Sequence, residues 1–175
     1  MVGLTFEFCP VCGAELVRRL IEGRDRHFCE RCDRPVYRNP KPCAGVLVVN
    51  GAKVLLIERT QPPAVGSWSV PAGYLEADEP PRVAAVRELE EETSVSVSRD
   101  SLSLFDTAFV EHPGGSHVLV LVYVTPRAET SGEPAAGTDA GAARFWRPER
   151  LVDSGWRIEP GYRAMFEAAI EELRT

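Results

Sequence analysis

Acidic side chains are concentrated in one short part of the chain. Glu79 and four later glutamates, Glu88, Glu90, Glu91 and Glu92, lie within fourteen residues. Such crowding of like charges is unfavourable unless a cation is bound, and Mg²⁺ and Mn²⁺ prefer carboxylate oxygen. The cluster therefore predicts a divalent-metal site. Such sites commonly carry out phosphate chemistry, because the ions neutralise and orient phosphate groups.

These glutamates must be positioned by a helix, which we predict over residues 81 to 93. Pro81 suits its first turn, where a missing N–H costs little. At about 100° per residue, three glutamates share one side at spacings i, i+3 and i+4. They are Glu88, Glu91 and Glu92. Three apolar residues on the opposite arc are expected to face the core: Val83, Val86 and Leu89. A solvated acidic face is the alternative interpretation.

Several predicted strands surround this helix. Asn50-Gly51, a strong turn signal, separates strands at 44–49 and 54–57. Further strands are predicted at 67–70, 102–110, 117–125 and 144–146, and a terminal amphipathic helix at 161–173. The nearly continuous apolar run from 117 to 125 indicates a central strand. Strands of mixed direction with two helices predict an α/β fold, an α/β/α sandwich.

The stretch from Gly73 to Val95 resembles the Nudix box, in which a glycine, a glutamate and an Arg-Glu-aliphatic-X-Glu-Glu run recur at fixed spacing. The matching residues are Gly73, Glu79, Arg87, Glu88, Leu89, Glu91, Glu92 and Val95. One position departs, because Ser94 stands where the family has glycine. A left-handed conformation is common after a helix, and serine in that conformation costs about 1 kcal/mol. We expect Ser94 to lower stability and to leave the chemistry intact.

This resemblance implies an enzyme, a Nudix-type hydrolase that cleaves a nucleoside diphosphate linked to another group, X. The products would be a nucleoside monophosphate and phosphoryl-X, and the cofactor would be Mg²⁺ or Mn²⁺. Arg87 and Glu79 would pair and hold the loop against the helix. The implied catalytic set is Glu79, Arg87, Glu91 and Glu92. The implied metal ligands are Glu88, Glu91, Glu92 and the carbonyl of Ala72.

Other stretches resemble zinc-ribbon Nudix enzymes that act on FAD and ADP-ribose. They are residues 37–41, 55–59 and 66–76. By that similarity Arg59 contacts phosphate, Trp68 packs near the site and Glu76 binds substrate. A surface arginine and a core tryptophan are the alternatives. NADH pyrophosphatases share the ribbon arrangement, but residues 106–115 lack their signature.

The catalytic base is left open. In relatives, a Glu-Ser-X-Glu-X-Arg run carries a second glutamate that can act as base or metal ligand, and the matching run here extends from Asp139 to Arg144. The candidates for this role are Asp139, Glu133, Glu111 and a glutamate of the box. A histidine base at neutral pH is a further option, offered by His112 and His117.

Four cysteines near the amino terminus form two Cys-X-X-Cys pairs separated by sixteen residues: Cys9, Cys12, Cys29 and Cys32. Four thiolates close a tetrahedral structural zinc site and leave no open position for catalysis. Two disulfides or a redox pair are the alternatives. No signal peptide or membrane span is apparent, so we expect a cytoplasmic protein, and a reducing compartment favours zinc. Cys43 lies outside this set and is expected to be a buried free thiol.

Length and charge complete the expectations. The 175 residues are predicted to form a zinc ribbon at 1–38 and a Nudix hydrolase domain at 39–175. The net charge is −6, and arginines and acids nearly balance in the ribbon, which disfavours nucleic-acid binding. We expect a small-molecule nucleotide substrate and no membrane contact, and a homodimer is left open. The alternatives are a nucleotide sensor without catalytic activity and a pyrophosphatase for NADH or damaged triphosphates.

Overall fold

The computed structural model describes residues 7–62, 64–112, 115–137, 139–153 and 162–174. The chain divides into two compact units. The first comprises residues 1–40 and 111–117, and the second comprises residues 41–110 and 118–175. Among the described residues, no helix combines the length and the apolar composition needed to cross a membrane.

The first unit contains a small antiparallel sheet. In it β1 (Val17–Ile21) pairs with β2 (Arg24–Cys29), which in turn pairs with β3 (Arg34–Val36). Glu22 and Gly23 connect β1 and β2 with positive φ angles of 52° and 73°. Because β2 ends at Cys29, the sheet fixes the position of the second Cys-X-X-Cys pair.

The remaining strands form two further sheets. They are β4 (Lys41–Asn50), β5 (Lys53–Arg59), β6 (Trp68–Ser69), β7 (Ala72–Tyr74), β8 (Ser96–Val97), β9 (Ser103–His112), β10 (Ser116–Pro126), β11 (Thr130–Ser131) and β12 (Ala140–Trp146). The main sheet has the order β12-β5-β4-β10-β9, with β6 paired to β5 and β7 paired to β4. The short strands β8 and β11 pair separately.

The main sheet is mixed, as the sequence predicts. β4 and β10 run parallel, with Val120 opposite Cys43. β5 is antiparallel to both β4 and β12, and β7 is antiparallel to β4. β4 lies at the centre, and its residues 43–49 are buried throughout. The apolar strand β10 lies inside the sheet beside it, in agreement with its continuous hydrophobic pattern.

One helix packs on each face of this sheet. α1 (Pro81–Thr93) buries Leu89 in a cluster with Val46 of β4. On the other face, α3 (Tyr162–Glu172) buries Phe166 in a cluster with Leu47, to which the short helix α2 (Pro148–Asp153) adds Leu151. This confirms the α/β/α sandwich. The predicted start of the last helix at Gly161 lies outside the described residues.

Helix α1 has the predicted length, but its predicted inward arc is wrong in part. Val83 and Val86 are only half-buried, and the buried positions are Ala84, Ala85, Leu89 and Thr93. The two alanines allow the helix backbone to lie close to the sheet, which leaves the larger valines at the edge of the contact. Ser94 follows the helix in the expected left-handed conformation, with φ 58° and ψ 18°.

Candidate active site

An open cleft of about 500 Å³ lies in the second unit. Its walls come from the end of β5, from β7 and the loop after it, from α1, and from the segment before β12. The ionisable residues in its lining are Arg59, Tyr74, Glu76, Arg87, Glu88, Glu92 and Asp139. Carboxylates and guanidinium groups thus meet on one concave surface, which is a composition expected of a metal and phosphate site.

Two glycines allow strand β7, which lines this cleft, to pack closely against its neighbours. A Cβ atom on Gly73 would overlap the carboxylate of Glu88, so any other residue would displace that side chain. Gly45 in β4 has a related role, because a Cβ there would lie 2.6 Å from both the Ala72 Cβ and the Pro71 carbonyl oxygen. The close approach of β4, β7 and α1 therefore depends on the absence of side chains at these positions.

Arg87 connects the helix to the loop before it. Its Nε and Nη2 donate to the two carboxylate oxygens of Glu79, across 2.9 and 2.8 Å. Its Nη1 donates to Glu88 at 2.7 Å and to Glu91 at 3.1 Å, and its Nη2 also donates to the carbonyl of Tyr74 at 3.1 Å. The hydrogen bonds from Arg87 hold the pKa of Glu79 below its usual value. Such a fork of charge-assisted bonds fixes the loop against the helix.

Glu88 and Glu92 are the helix carboxylates that line the cleft, and both are largely buried. Burial raises the pKa of Glu92 to about 8, although its Oε2 accepts a hydrogen bond from the Ala72 N–H at 2.9 Å. The negative charges of Glu88 and Asp139 contribute to this raised pKa, and the positive charge of Arg59 opposes it. Burial likewise raises the pKa of Glu88, and Arg87 opposes this effect. Two partly buried carboxylates whose pKa values are raised are a donor set that fits a hard divalent cation.

The third predicted ligand, Glu91, is oriented differently. Its carboxylate is exposed and is bonded to Arg87, and it does not belong to the cleft lining. Within the described ranges, the cysteine set is the only group of three or more potential ligands gathered closely enough for one ion. A role for Glu91 at the metal would require its side chain to leave Arg87.

The three predicted substrate contacts lie in different environments. Arg59 and Glu76 line the cleft, and the Nε atom of Arg59 is buried with no hydrogen-bond partner among the described residues. Trp68 is 2% exposed and packs edge to face against Trp146, with ring centroids 5.1 Å apart. Its ring therefore contributes to the core, as in the alternative interpretation from the sequence, and does not reach the cleft surface.

The candidate bases are separated by the structure. Asp139 lines the cleft, whereas Glu133 is 93% exposed in its side chain and pairs with Arg127 at 3.3 Å. Glu111 and His117 belong to the first unit, and the side chain of His112 lies outside the described residues. Asp139 is therefore the candidate outside the helix that shares the cleft with Glu92.

Four side chains of the cleft lining were not predicted as site residues: Ile57, Thr60, Gln61 and Tyr74. The ring of Tyr74 is half exposed in the cleft lining, and the ammonium group of Lys41 lies 5.2 Å from its centroid. The available signal was the alternation of side chains along β7, which brings Ala72 and Tyr74 to the same side of the strand. A flat, partly exposed ring beside cations is a suitable surface for a planar group of a nucleotide.

The four cysteines of the first unit gather as predicted. Their sulfur atoms all lie within 4.8 Å of one another, with Cys12 and Cys29 at 3.5 Å and Cys9 and Cys32 at 4.0 Å. These distances exclude disulfide bonds, which are about 2.05 Å long. They resemble the sulfur separation of about 3.8 Å in a tetrahedral zinc site. Hydrogen bonds from the backbone of Val11 and Cys12 lower the pKa of Cys9 to about 6, which favours the thiolate.

The fifth cysteine, Cys43, is a buried free thiol, as predicted. It is 8% exposed in β4, and burial raises its pKa to about 12. Burial therefore disfavours the thiolate of Cys43, which is the nucleophilic form.

Comparison with known proteins places this geometry in a family. Residues 39–168 match the family described as NUDIX domain. The methanol dehydrogenase activator of Bacillus methanolicus is 30% identical over 148 residues, which cover 77% of this chain and 78% of that protein. The ADP-ribose pyrophosphatase of Methanocaldococcus jannaschii is 32% identical over 111 residues, which cover 63% and 64% respectively.

Solved structures show the same fold. The crystal structure of a NUDIX hydrolase from Nitrosomonas europaea superposes with a TM-score of 0.64 and 24% sequence identity. The match covers 87% of this chain and 84% of that chain.

Proposed function

The chain belongs to the NUDIX family of hydrolases, and on this premise we propose that it cleaves a nucleoside diphosphate linked to X, of the ADP-ribose or FAD type. The products are a nucleoside monophosphate and phosphoryl-X. The main support is one juxtaposition: the buried carboxylates of Glu88 and Glu92 line the same cleft as Arg59 and Asp139.

Glu88 and Glu92 are proposed to hold Mg²⁺ or Mn²⁺, with the carbonyl of Ala72 nearby and Glu91 joining after it leaves Arg87. A bound divalent cation would neutralise the diphosphate and lower the pKa of an attacking water. Arg87 and Glu79 act by fixing the helix and the loop, since their hydrogen bonds orient Glu88 and the backbone of Tyr74. Both carboxylates at the metal must be ionised, which their burial alone disfavours.

The proposed substrate contacts follow from the cleft lining. Arg59 lines the cleft, and its guanidinium group is proposed to donate to a phosphate oxygen. Glu76 can accept a hydrogen bond from a ribose hydroxyl, and the exposed ring of Tyr74 can stack on a planar group. Trp68 supports this wall from the core.

Asp139 is proposed as the general base. It would accept a proton from a water molecule whose oxygen attacks one phosphorus of the diphosphate. The bond from that phosphorus to the bridging oxygen then breaks, and the bridging oxygen leaves on the other phosphate. Asp139 and Glu92 both line the cleft, and the negative charge of Asp139 contributes to the raised pKa of Glu92.

A substrate panel tests this function. ADP-ribose, FAD, NADH and oxidised nucleoside triphosphates should be incubated with the protein and Mg²⁺ or Mn²⁺, and nucleoside monophosphate should be measured. We expect release from ADP-ribose or FAD, and a loss of about 100-fold or more in the Glu92→Gln variant. Glu90→Gln is the matched control, because Glu90 is an exposed glutamate of the same helix outside the cleft. Full activity in Glu92→Gln would refute the metal site.

The first unit is proposed to hold one structural Zn²⁺ through Cys9, Cys12, Cys29 and Cys32. Its closed set of four sulfur ligands leaves no position for substrate. A cytoplasmic location is part of the same proposal, because reduced thiols favour zinc binding over disulfides.

A second candidate function is favoured by one relative. The 30% identity with a protein named methanol dehydrogenase activator suggests that this chain changes the activity of a dehydrogenase. Adding the purified chain to a methanol dehydrogenase assay with Mg²⁺ would test this, with Glu92→Gln added in parallel. Activation by both proteins would indicate a binding role, whereas activation by the wild type alone would indicate that hydrolysis is required.

A further inference from the structure

Residues 132–137, here called the strap, run along the last turn of α1. The N–H of Ala135 donates to the carbonyl of Thr93 across 2.9 Å, and the N–H of Gly137 donates to the carbonyl of Glu92 across 3.0 Å. Carbonyls in the last turn of a helix have no partner within the helix, so the strap satisfies them. Glu92 is consequently held from two directions, at its carboxylate by Ala72 and at its carbonyl by Gly137.

Gly137 lies closer to the helix than any residue with a side chain could. A Cβ atom there would overlap the carbonyl oxygen of Glu91 and would lie 3.1 Å from the Cα of Glu92. Both are backbone atoms of a helix, so neither can swing aside as a flexible side chain can. The φ angle of Gly137 is not positive, which means that the need for glycine is steric.

The strap is also fixed before and after this contact. Its first residue, Gly132, accepts a hydrogen bond from Arg127 at 2.6 Å through its carbonyl. Beyond its end, the hydroxyl of Thr60 donates to the carbonyl of Asp139 at 2.6 Å. Asp139 lines the cleft and lies two residues after Gly137 in the chain. Its carbonyl is held by Thr60, the residue that follows β5.

We propose that Gly137 is a positioning residue for the hydrolysis, because the docking of the strap on α1 sets the place of Asp139 relative to Glu92. In this proposal the two backbone hydrogen bonds make the strap and α1 move together, so that the base and the metal ligand keep their separation. This proposal rests on the proposed function, in which Asp139 is the base. It adds a residue that touches neither substrate nor metal.

The test compares Gly137→Ala with Gly141→Ala. A Cβ at Gly141 would meet its nearest atom at 3.4 Å, an ordinary contact, so that variant is a control two residues beyond Asp139. With the best substrate of the panel and Mg²⁺, we expect kcat to fall at least tenfold in Gly137→Ala with KM within twofold. Gly141→Ala should stay within twofold in both. Wild-type kcat in Gly137→Ala would overturn the proposal.

A double-mutant cycle with Asp139→Asn separates positioning from general damage. If Gly137 acts through Asp139, adding Gly137→Ala to Asp139→Asn should lower kcat by less than threefold further. If the fold-reduction in kcat of the double variant equals the product of the two single reductions, Gly137 acts independently of Asp139, and the proposal is refuted. Thr60→Val, which removes the hydrogen bond to Asp139 without adding an atom to the strap, provides the same cycle if Gly137→Ala does not fold. It should also lower kcat, by a smaller factor.

Crystal structures distinguish failure of this inference from failure of the proposed function. The Asp139 carboxylate should be displaced relative to Glu92 in Gly137→Ala and not in Gly141→Ala. An unmoved Asp139 would overturn the positioning role whatever the activity. A displaced Asp139 together with wild-type turnover in Asp139→Asn would instead support the strap as a positioning element and remove Asp139 as the base.

Discussion

The backbone N–H of Ala72 donates to the Oε2 atom of Glu92 across 2.9 Å, so strand β7 and helix α1 meet at a buried carboxylate. The negative charges of Glu88 and Asp139 raise the pKa of this carboxylate, and the positive charge of Arg59 lowers it. A single hydrogen bond from a neutral donor does not offset its burial, and the pKa of Glu92 is raised to about 8. The metal-free protein therefore keeps a proton that a divalent cation would displace.

The stability of the metal-free protein should fall as pH rises. The pKa of Glu92 is about 8 in the folded state and about 4.5 in the unfolded state. Between these pH values the folded state binds a proton that the unfolded state has lost, so the free energy of unfolding falls as pH rises. Glu92→Gln removes this dependence. We expect the variant and the wild type to have similar Tm values near pH 5, and the variant to melt several degrees higher at pH 9. Thermal unfolding in EDTA-treated, zinc-repleted samples measures this; a Tm difference independent of pH would contradict the assignment.

Replacing Arg87 by lysine should weaken both the fold and the reaction. Lysine keeps the charge but cannot form the two-point bond to Glu79 or the additional bonds to Glu88 and Tyr74. We expect kcat/KM to fall by about 10- to 100-fold, in the range of other residues that orient metal ligands. Arg163→Lys is the control, since Arg163 is an exposed arginine of α3 paired with Glu167. Equal, small effects in the two variants would count against the orienting role of Arg87.

Ser94→Gly should stabilise the protein without changing its activity. Ser94 has a φ angle of 58°, a conformation that costs a non-glycine residue about 1 kcal/mol. For a chain of this size, that change corresponds to about 2–4 °C in Tm. Differential scanning calorimetry measures it. Ser103→Gly, at an exposed site in strand β9, should lower Tm instead, because glycine weakens a strand. A lower Tm in Ser94→Gly would show that serine is preferred there.

The protein should bind one zinc ion per chain, and this binding should require the four cysteines of the first unit and not Cys43. Cys32→Ser removes one of four ligands and should lower the zinc content, measured by elemental analysis, by at least half. Cys43→Ala should retain full zinc content, because Cys43 lies in β4 as a separate buried thiol. Zinc loss in both variants would indicate that the metal is not held by the cysteine set.

Helix α1 was predictable because the pattern that indicates it is local. The residues that match the box, from Gly73 to Val95, lie on one loop, one helix and the turn after it, so their spacing alone orders them. The pairing of Arg87 with Glu79 and the left-handed Ser94 follow from the same short stretch. The four cysteines gathered for a similar reason, since a short hairpin between them leaves few arrangements.

Other features depend on contacts that spacing does not encode. Val83 and Val86 have the right periodicity for the core, yet Ala84 and Ala85 face it, because the distance between helix and sheet decides which side chains fit. Glu91 shares a helix side with Glu88, but a neighbouring arginine draws its carboxylate outward. Asp139 lines the cleft although it is far in sequence from α1, and the preceding residues Ala135 and Gly137 are hydrogen-bonded to the end of that helix.

Main-chain atoms border α1 at Gly73 on one flank and at Gly137 on the other, and neither contact leaves room for a methyl group. Gln61 and Glu76 line the same cleft and already carry side chains. Under the proposed function, a change of side chain at Gln61 would alter the surface that meets the substrate and leave Glu88 and Glu92 in place. A change at Gly137 would instead disturb the backbone of the helix that bears both carboxylates.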